Sequence, residues 1–151
     1  MHLQAGMTLQ STSDVSDSVF GGATILITQF DSQGAVGFVV NKPSNRKLNQ
    51  LVEFKESIPF PLHVGGPVDE HHLFFIHQRP DLISGGTSVG KGIYMGGDFK
   101  KAVSCINNNM ITTKDIRIFI GYCGWDEGDL EAEIMEGGWV ITGEESFPFS
   151  V

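Results

Sequence analysis

The sequence predicts a single α+β domain built on a mixed, mostly antiparallel sheet, and three observations carry that prediction. Short apolar runs rich in β-formers recur along the chain, bounded by Gly, Pro, Asn and Asp. Two of them, residues 23–30 and 35–40, are joined only by Asp31-Ser32-Gln33-Gly34, turn chemistry that makes a hairpin and excludes a purely parallel sheet. Three short helical patterns lie between the strands, each behind a capping residue. The 151 residues suffice for one core without staples, and 19 glycines favour tight turns over long helices.

Residues 1–18 read as loosely structured, with Ser, Thr and Asp dense from position 11. Residues 23–30 (ATILITQF) form the first strand. The next run, Gly34-Ala35-Val36-Gly37-Phe38-Val39-Val40-Asn41-Lys42-Pro43, is apolar without alternation, which suits a strand covered on both faces. Pro43 removes a backbone donor and pushes Lys42 toward extended geometry, so the strand ends with Asn41 and Lys42 at its tip. Ser44 or Asn45 then caps a short helix carrying Leu48, Leu51 and Val52, which Pro59 and Pro61 end.

Residues 62–64 form a short strand running into the turn Gly65-Gly66-Pro67. Residues 72–77 (HLFFIH) read as a strand buried on both faces. An irregular stretch, 85–92, precedes a strand at 93–95. Asp98 caps a helix with the stripe Phe99, Ala102, Val103, Ile106 and Met110, and Asn107, Asn108 and Asn109 end it through a left-handed position. Residues 116–122 (IRIFIGY) make a strong strand. Trp125 and Leu130 flank Asp126 with the spacing of a hydrophobic staple around an N-cap, and Gly137-Gly138 stops that helix before a last strand at 139–142. Residues 143–151 form a tail bearing Phe147-Pro148-Phe149. No repeat or linker divides residues 1–151.

Charge is unevenly placed. The chain is neutral through Arg117, and the formal charge of −8 resides wholly in Asp126, Glu127, Asp129, Glu131, Glu133, Glu136, Glu144 and Glu145. Such a surface repels phosphate backbones, and neither a helix-turn-helix nor a basic stripe is present, so direct DNA binding is disfavoured. The simplest role for these carboxylates is a solvated face that aids solubility, with docking of a basic partner as the alternative. No apolar run approaches the ~20 residues of a membrane span. Residues 1–10 lack a secretory pattern, and two cysteines are too few for a disulfide framework, so a cytoplasmic protein is expected.

Several segments in fixed order resemble one family. They are Asp17-Ser18-Val19-Phe20, the run from Gly34 to Pro43, Gly65-Gly66-Pro67-Val68, residues 73–77, Gly121-Tyr122-Cys123-Gly124-Trp125, Gly128-Asp129-Leu130-Glu131-Ala132-Glu133-Ile134, and Trp139. Together, across residues 14–145, they look like the YqgE/AlgH family of small bacterial proteins. The resemblance implies a split sheet folded into a barrel-like core, a cytosolic bacterial location, and the label of transcriptional regulator that members often carry. It brings no catalytic set. Phe20 is followed by Gly21-Gly22-Ala23 where relatives carry Phe-x-Arg-Ser, so no role of that Arg transfers. Relatives also continue past the last strand into a further segment, whereas this sequence ends at Val151.

Each candidate site weighs against a structural role. Gly85-Gly86-Thr87-Ser88-Val89-Gly90-Lys91-Gly92 approaches a phosphate-binding loop, but Gly92 replaces the hydroxyl that holds Mg²⁺ and no helix begins at Lys91. His63, His71, His72 and His77, with Asp69 and Glu70, offer too few aligned ligands for zinc. Cys123, at a strand end flanked by glycine, is the better candidate for a reactive thiol than Cys105, although no cation or helix N-terminus activates either. Trp125 and Trp139 read as core residues.

Asn41-Lys42-Pro43 and Gly65-Gly66-Pro67 shape turns at strand ends, and side by side they would form a small anion-friendly site for a ligand or partner. The expected function is therefore a non-enzymatic regulatory or binding protein acting through a protein partner or small ligand, with no cofactor and no metal. The alternative is an enzyme, hydrolytic or thiol-dependent, using Cys123 or a cleft near Asn41.

Overall fold

The hairpin at Asp31-Ser32-Gln33-Gly34 organises one end of the sheet. In the computed structural model, which describes residues 3–12 and 22–142, β1 (Thr8–Ser11) precedes the hairpin strands β2 (Thr24–Asp31) and β3 (Gly34–Val39). Asp31 faces Gly34 across the antiparallel pair, and its carboxylate accepts from the Gln33 amide at 2.8 Å, closing the turn. There follow β4 (Pro43–Lys47), β5 (Pro61–Val64), β6 (Val68–His77), β7 (Thr87–Gly90) and β8 (Ile93–Met95). α1 (Phe99–Asn107), β9 (Ile116–Asp126), α2 (Asp129–Met135) and β10 (Trp139–Thr142) complete the described chain.

The strands pair in the order β10-β1-β2-β3-β9-β6-β8-β7, with β5 bonded to β4 and β9 off that path. Every pair is antiparallel except β5 with β9. The barrel-like closure implied by the family resemblance does not occur. β10 and β7, each four residues long, stand at opposite ends of the path, and among the described residues no ladder joins them.

β9 is the pivot. Its second half pairs with β3, and its first half carries β5 on one edge and β6 on the other, so Phe119 faces His63 on one side and Phe74 on the other. The segment Gly65-Gly66-Pro67 must therefore cross over β9 to join β5 to β6. It does so in backbone contact. A Cβ at Gly66 would lie 2.2 Å from the Tyr122 carbonyl carbon, and one at Gly65 would lie 2.4 Å from the Gly121 oxygen. The Gly65 amide donates to Ile120 O at 2.9 Å while its carbonyl accepts from the Val39 amide at 2.8 Å. Gly121 sits beneath at φ +75, where β9 passes from one sheet half to the other.

β3 is buried on both faces, as its unbroken apolar run predicts, with Ala35 and Val39 in one cluster and Phe38 and the following Val40 in another, and β2 beside it is likewise covered on both faces. Ile25 and Ile27 join Leu9, Val39, Leu130 and Trp139 in one cluster, whereas Leu26 joins Phe38, Ile76 and Phe119 in another. A third cluster packs α1 through Ala102, Cys105 and Ile106 against Leu62, Phe75 and Ile118. Asp98 caps α1 by accepting from the Lys101 amide at 3.1 Å, and Asn109 ends it at φ +60. Met110 falls beyond the stripe and is half exposed.

Several expectations are corrected. Residues 8–11 are not loose: β1 lies between β2 and β10, anchored by the fully buried Leu9. Residues 43–47 are a strand, not a helix start, because Pro43 extends the backbone into pairing with β5. Only two single 3₁₀ turns follow, Leu48–Gln50 and Val52–Phe54, so among the described residues two α-helices stand where three were expected. β6 begins at Val68, and its burial is confined to Phe75, Ile76 and His77, with Leu73 and Phe74 half-buried. The stretch 85–92 is mostly ordered as the β7–β8 hairpin. Its two-residue turn, Lys91-Gly92, has positive φ at both positions (58° and 78°), the geometry that suits twisted strands. Asp126 remains in β9, and Gly128 at φ +83 caps α2 instead. Bonds from Gly137 N to Ile134 O and Gly138 N to Glu133 O close α2, the expected stop. Asp17-Ser18-Val19-Phe20 and the tail from 143 lie outside the described residues. Among the described residues no helix is long and apolar enough to cross a membrane.

Candidate functional site

The two strand-end loops lie next to each other. The Lys42 carbonyl accepts from the Val64 amide at 2.8 Å, and Pro43 faces His63. Asn41 spends its side chain on the scaffold: its Oδ1 accepts from the Thr24 amide at 2.9 Å and its Nδ2 donates to Gly22 O at 3.0 Å. Lys42 is half-buried, with its ammonium directed toward Gly22. Gly65 and Gly66 are buried against β9 at the crossing, and Pro67 is exposed. Below the loops the buried Arg117 guanidinium donates to Val40 O at 2.7 Å, and burial lowers its pKa.

His63 shares this environment. Burial, with the positive Arg117 second, lowers its pKa to about 4. The unfolded chain then binds the proton more readily than the folded one between pH 6.5 and 4. His63 therefore contributes stability that is full above pH 6.5 and lost as pH falls toward 4. Urea midpoints at pH 7.0, 5.5 and 4.5 should fall, and His63→Gln should flatten the decline by on the order of 2 kcal/mol after allowance for partial solvent access. An identical pH slope in the variant would remove His63 as the cause.

The other histidines serve different ends. His77 is buried between Phe75 and Tyr94; its Nε2–H donates to Gly96 O at 3.1 Å and its Nδ1 accepts from the Arg79 amide at 3.1 Å, a neutral tautomer that burial favours. His71 and His72 are exposed, and the hydrogen bond to Asp69 raises the pKa of His72. Among the described residues no three His, Cys, Asp or Glu side chains converge on a metal position.

Cys123 is 2 % exposed, donates to Gly65 O at 3.4 Å, and has its thiol pushed up to about 12 by burial. A thiol in this state yields little thiolate at neutral pH. Cys105 is equally buried in the α1 core. Ellman's reagent should modify neither cysteine of the folded protein faster than global opening permits, and both at once in guanidinium. Rapid native labelling of Cys123 would revive a thiol chemistry.

The site that sequence reasoning missed lies beyond the crossing, where β9 runs into α2. A cleft of about 340 Å³ is lined by Pro67, Val68, Cys123, Gly124, Trp125, Asp126, Asp129, Glu133 and Trp139. Glu133 Oε1 accepts from both indoles, Trp125 Nε1 at 3.1 Å and Trp139 Nε1 at 2.9 Å. The two rings meet edge to face, centroids 6.5 Å apart at 85°. A second cleft of about 400 Å³ shares Val68, Gly124, Trp125 and Asp126 and extends to Gln29, Asp31 and Gln33 on the β2–β3 turn. Trp139 is a core residue, as its type suggests, but Trp125 is only half-buried and stands between the two clefts.

This face is anionic without compensation. No Lys or Arg follows Arg117, and Asp126, Asp129 and Glu133 have no ion-pair partner among the described residues. The acidic last quarter of the chain was the visible signal. What it lacked was the fold that brings Trp125, Glu133 and Trp139 together, since their spacing matches no single helix face or strand.

Comparison with known proteins gives a consistent result. The AlgH-like family model (DUF179) matches residues 8–149. A "UPF0301 protein" of Chlorobium luteolum is 35% identical over 137 residues, covering 91% of this chain and 72% of that protein. One from Bacteroides fragilis is 37% identical over 145 residues, covering 93% and 72%. Among solved structures, a protein from Corynebacterium diphtheriae superposes with a TM-score of 0.78 at 18% identity, over 98% of this chain and 78% of the other. The solution structure of the AlgH protein from Pseudomonas aeruginosa gives 0.74 at 23% identity, over 98% and 82%. At these identities the two structures establish a shared fold.

Proposed function

The chain belongs to the AlgH-like (UPF0301) family, and we propose that it acts as a binding and regulatory protein, recognising a basic protein partner rather than transforming a substrate. One observation supports this above the others: the half-buried Trp125 lines two adjoining clefts, one shared with Asp126, Asp129 and Glu133 and the other with Asp31 and Asp126. Interfaces are anchored by such aromatics, and a field of one sign speeds encounter with a partner of the other. The raised pKa and burial of Cys123 weigh against a thiol-dependent enzyme, and Asn41 has both amide atoms committed to the backbone. A regulatory role of this kind would act through protein contacts, since the acidic face disfavours a phosphate backbone.

The test is capture of partners from native lysate with tagged wild type, Asp126→Lys/Asp129→Lys and Lys42→Ala, read by mass spectrometry at two salt concentrations. The acidic-face variant should lose a defined, salt-sensitive partner by about tenfold, equivalent to roughly 1.4 kcal/mol. A partner set unchanged in that variant would remove the face from the function. Loss confined to Lys42→Ala would move the site to the strand-end loops.

A further inference from the structure

We propose that the cleft lined by the two 3₁₀ turns and β6 docks a second copy of this chain about a two-fold axis. The cleft, of about 420 Å³, shares no lining residue with the two acidic clefts. Leu51, Phe54, Leu73, Phe99 and Ile120 line it, each half-buried and packed against the core cluster that contains α1. The core therefore reaches the surface here. Val52 lines the same cleft and is 86 % exposed, the most exposed large apolar side chain among the described residues. An apolar knob on the rim of an apolar recess marks an interaction surface. β6 shapes one side of it: Val68 faces Tyr122 and Leu73 faces Ile120, so residues 69–72 stand outside the ladder. Within that excursion Asp69 sits at φ 56, and its carboxylate accepts from the His72 ring.

Charge selects the occupant. Arg46 and Glu70 line the cleft from separate segments, and neither forms an ion pair or a side-chain hydrogen bond among the described residues. Glu53, which also lines it, acts on His72. In a two-fold contact, a residue that meets a second residue of the other copy is met in the same way from there. One such contact pairs each Arg46 with the other copy's Glu70 and seats each Val52 in the other copy's recess. A partner of a single sign would satisfy one of these charges and repel the other. The chain is also neutral through Arg117, so copies meeting here bring no excess charge together, whereas the acidic last quarter repels its own kind. The contact belongs to the small, weak class, with dissociation on the order of 10–100 µM.

The experiment is sedimentation velocity of the whole protein from about 5 to 500 µM, with circular dichroism to establish that each variant folds. Wild type should pass from the 16.5 kDa monomer to twice that mass. Val52→Asp, an exposed change, should weaken association about tenfold. Arg46→Glu and Glu70→Arg should each weaken it about tenfold, since each sets like charges opposite one another twice. Mixed in equal amounts, those two variants should form a heterodimer near wild-type strength, because both contacts again become opposite in sign. Asp126→Lys/Asp129→Lys, on the acidic face, should leave the dimer unchanged.

A monomer at the highest concentration would overturn the proposal and leave the cleft to a small ligand or a foreign partner. A dimer that ignores Val52→Asp, or that is lost in the acidic-face variant, lies elsewhere and overturns it too. Failure of the two charge variants to complement each other when mixed would remove the two-fold pairing and the proposal with it.

Discussion

Gly66→Ala should destabilise the protein by about 3–5 kcal/mol, enough to consume much of the stability of a typical domain. The added methyl has nowhere to go. Its position lies 2.2 Å from the Tyr122 carbonyl carbon, 2.3 Å from its oxygen and 2.6 Å from the Cys123 nitrogen, all backbone of the central strand. Relief requires lifting the crossing away from β9, which stretches the Gly65–Ile120 and Val39–Gly65 hydrogen bonds that join β5, β9 and β3. Gly128→Ala is the control: its φ of +83 imposes about 1–2 kcal/mol of backbone strain, yet nothing lies within 4 Å of the new Cβ. Urea denaturation of both variants separates crowding from strain. Equal losses would mean that the crossing is looser than its contacts indicate.

Phe119→Ala carries the second large effect. Phe119 is fully buried on β9, stacked on Phe38 with centroids 4.7 Å apart, and packed in the cluster that includes Leu26 and Ile76. Strand pairing on both edges of residue 119 leaves little freedom to collapse into the space, so the cavity persists. A cost of about 3–5 kcal/mol is expected for Ala and under about 1.5 kcal/mol for Leu. For a chain of this size, that lowers the melting temperature by roughly 10 °C or more for Ala. A fall of only two or three degrees in Phe119→Ala would show that β9 is not the pivot of the core.

The local elements were largely legible, for definite reasons. The β2–β3 hairpin follows from four turn residues between apolar runs, the α1 cap from Asp98, and the end of α2 from paired glycines. Residues 8–11 escaped because a four-residue strand with one apolar side chain, Leu9, is too short to show a periodicity; β2 and β10 impose its conformation. The helix expected after Ser44 yielded to pairing with β5, tertiary context overriding a capping pattern. The Gly65-Gly66-Pro67 turn was recognised by composition, but that it crosses a strand was not, since the partner lies more than fifty residues away.

By itself, the sequence determined what is local or additive: where apolar runs break, which residues cap and turn, that no cation follows Arg117, and which family the ordered motifs resemble. Only the tertiary structure decided that the sheet stays open, that two buried glycines ride on the β9 backbone, and that Glu133 draws two indoles into one acidic cleft. The division has a physical cause. Turns and caps are written in neighbouring residues, whereas a cleft depends on long-range pairing whose register no local window contains.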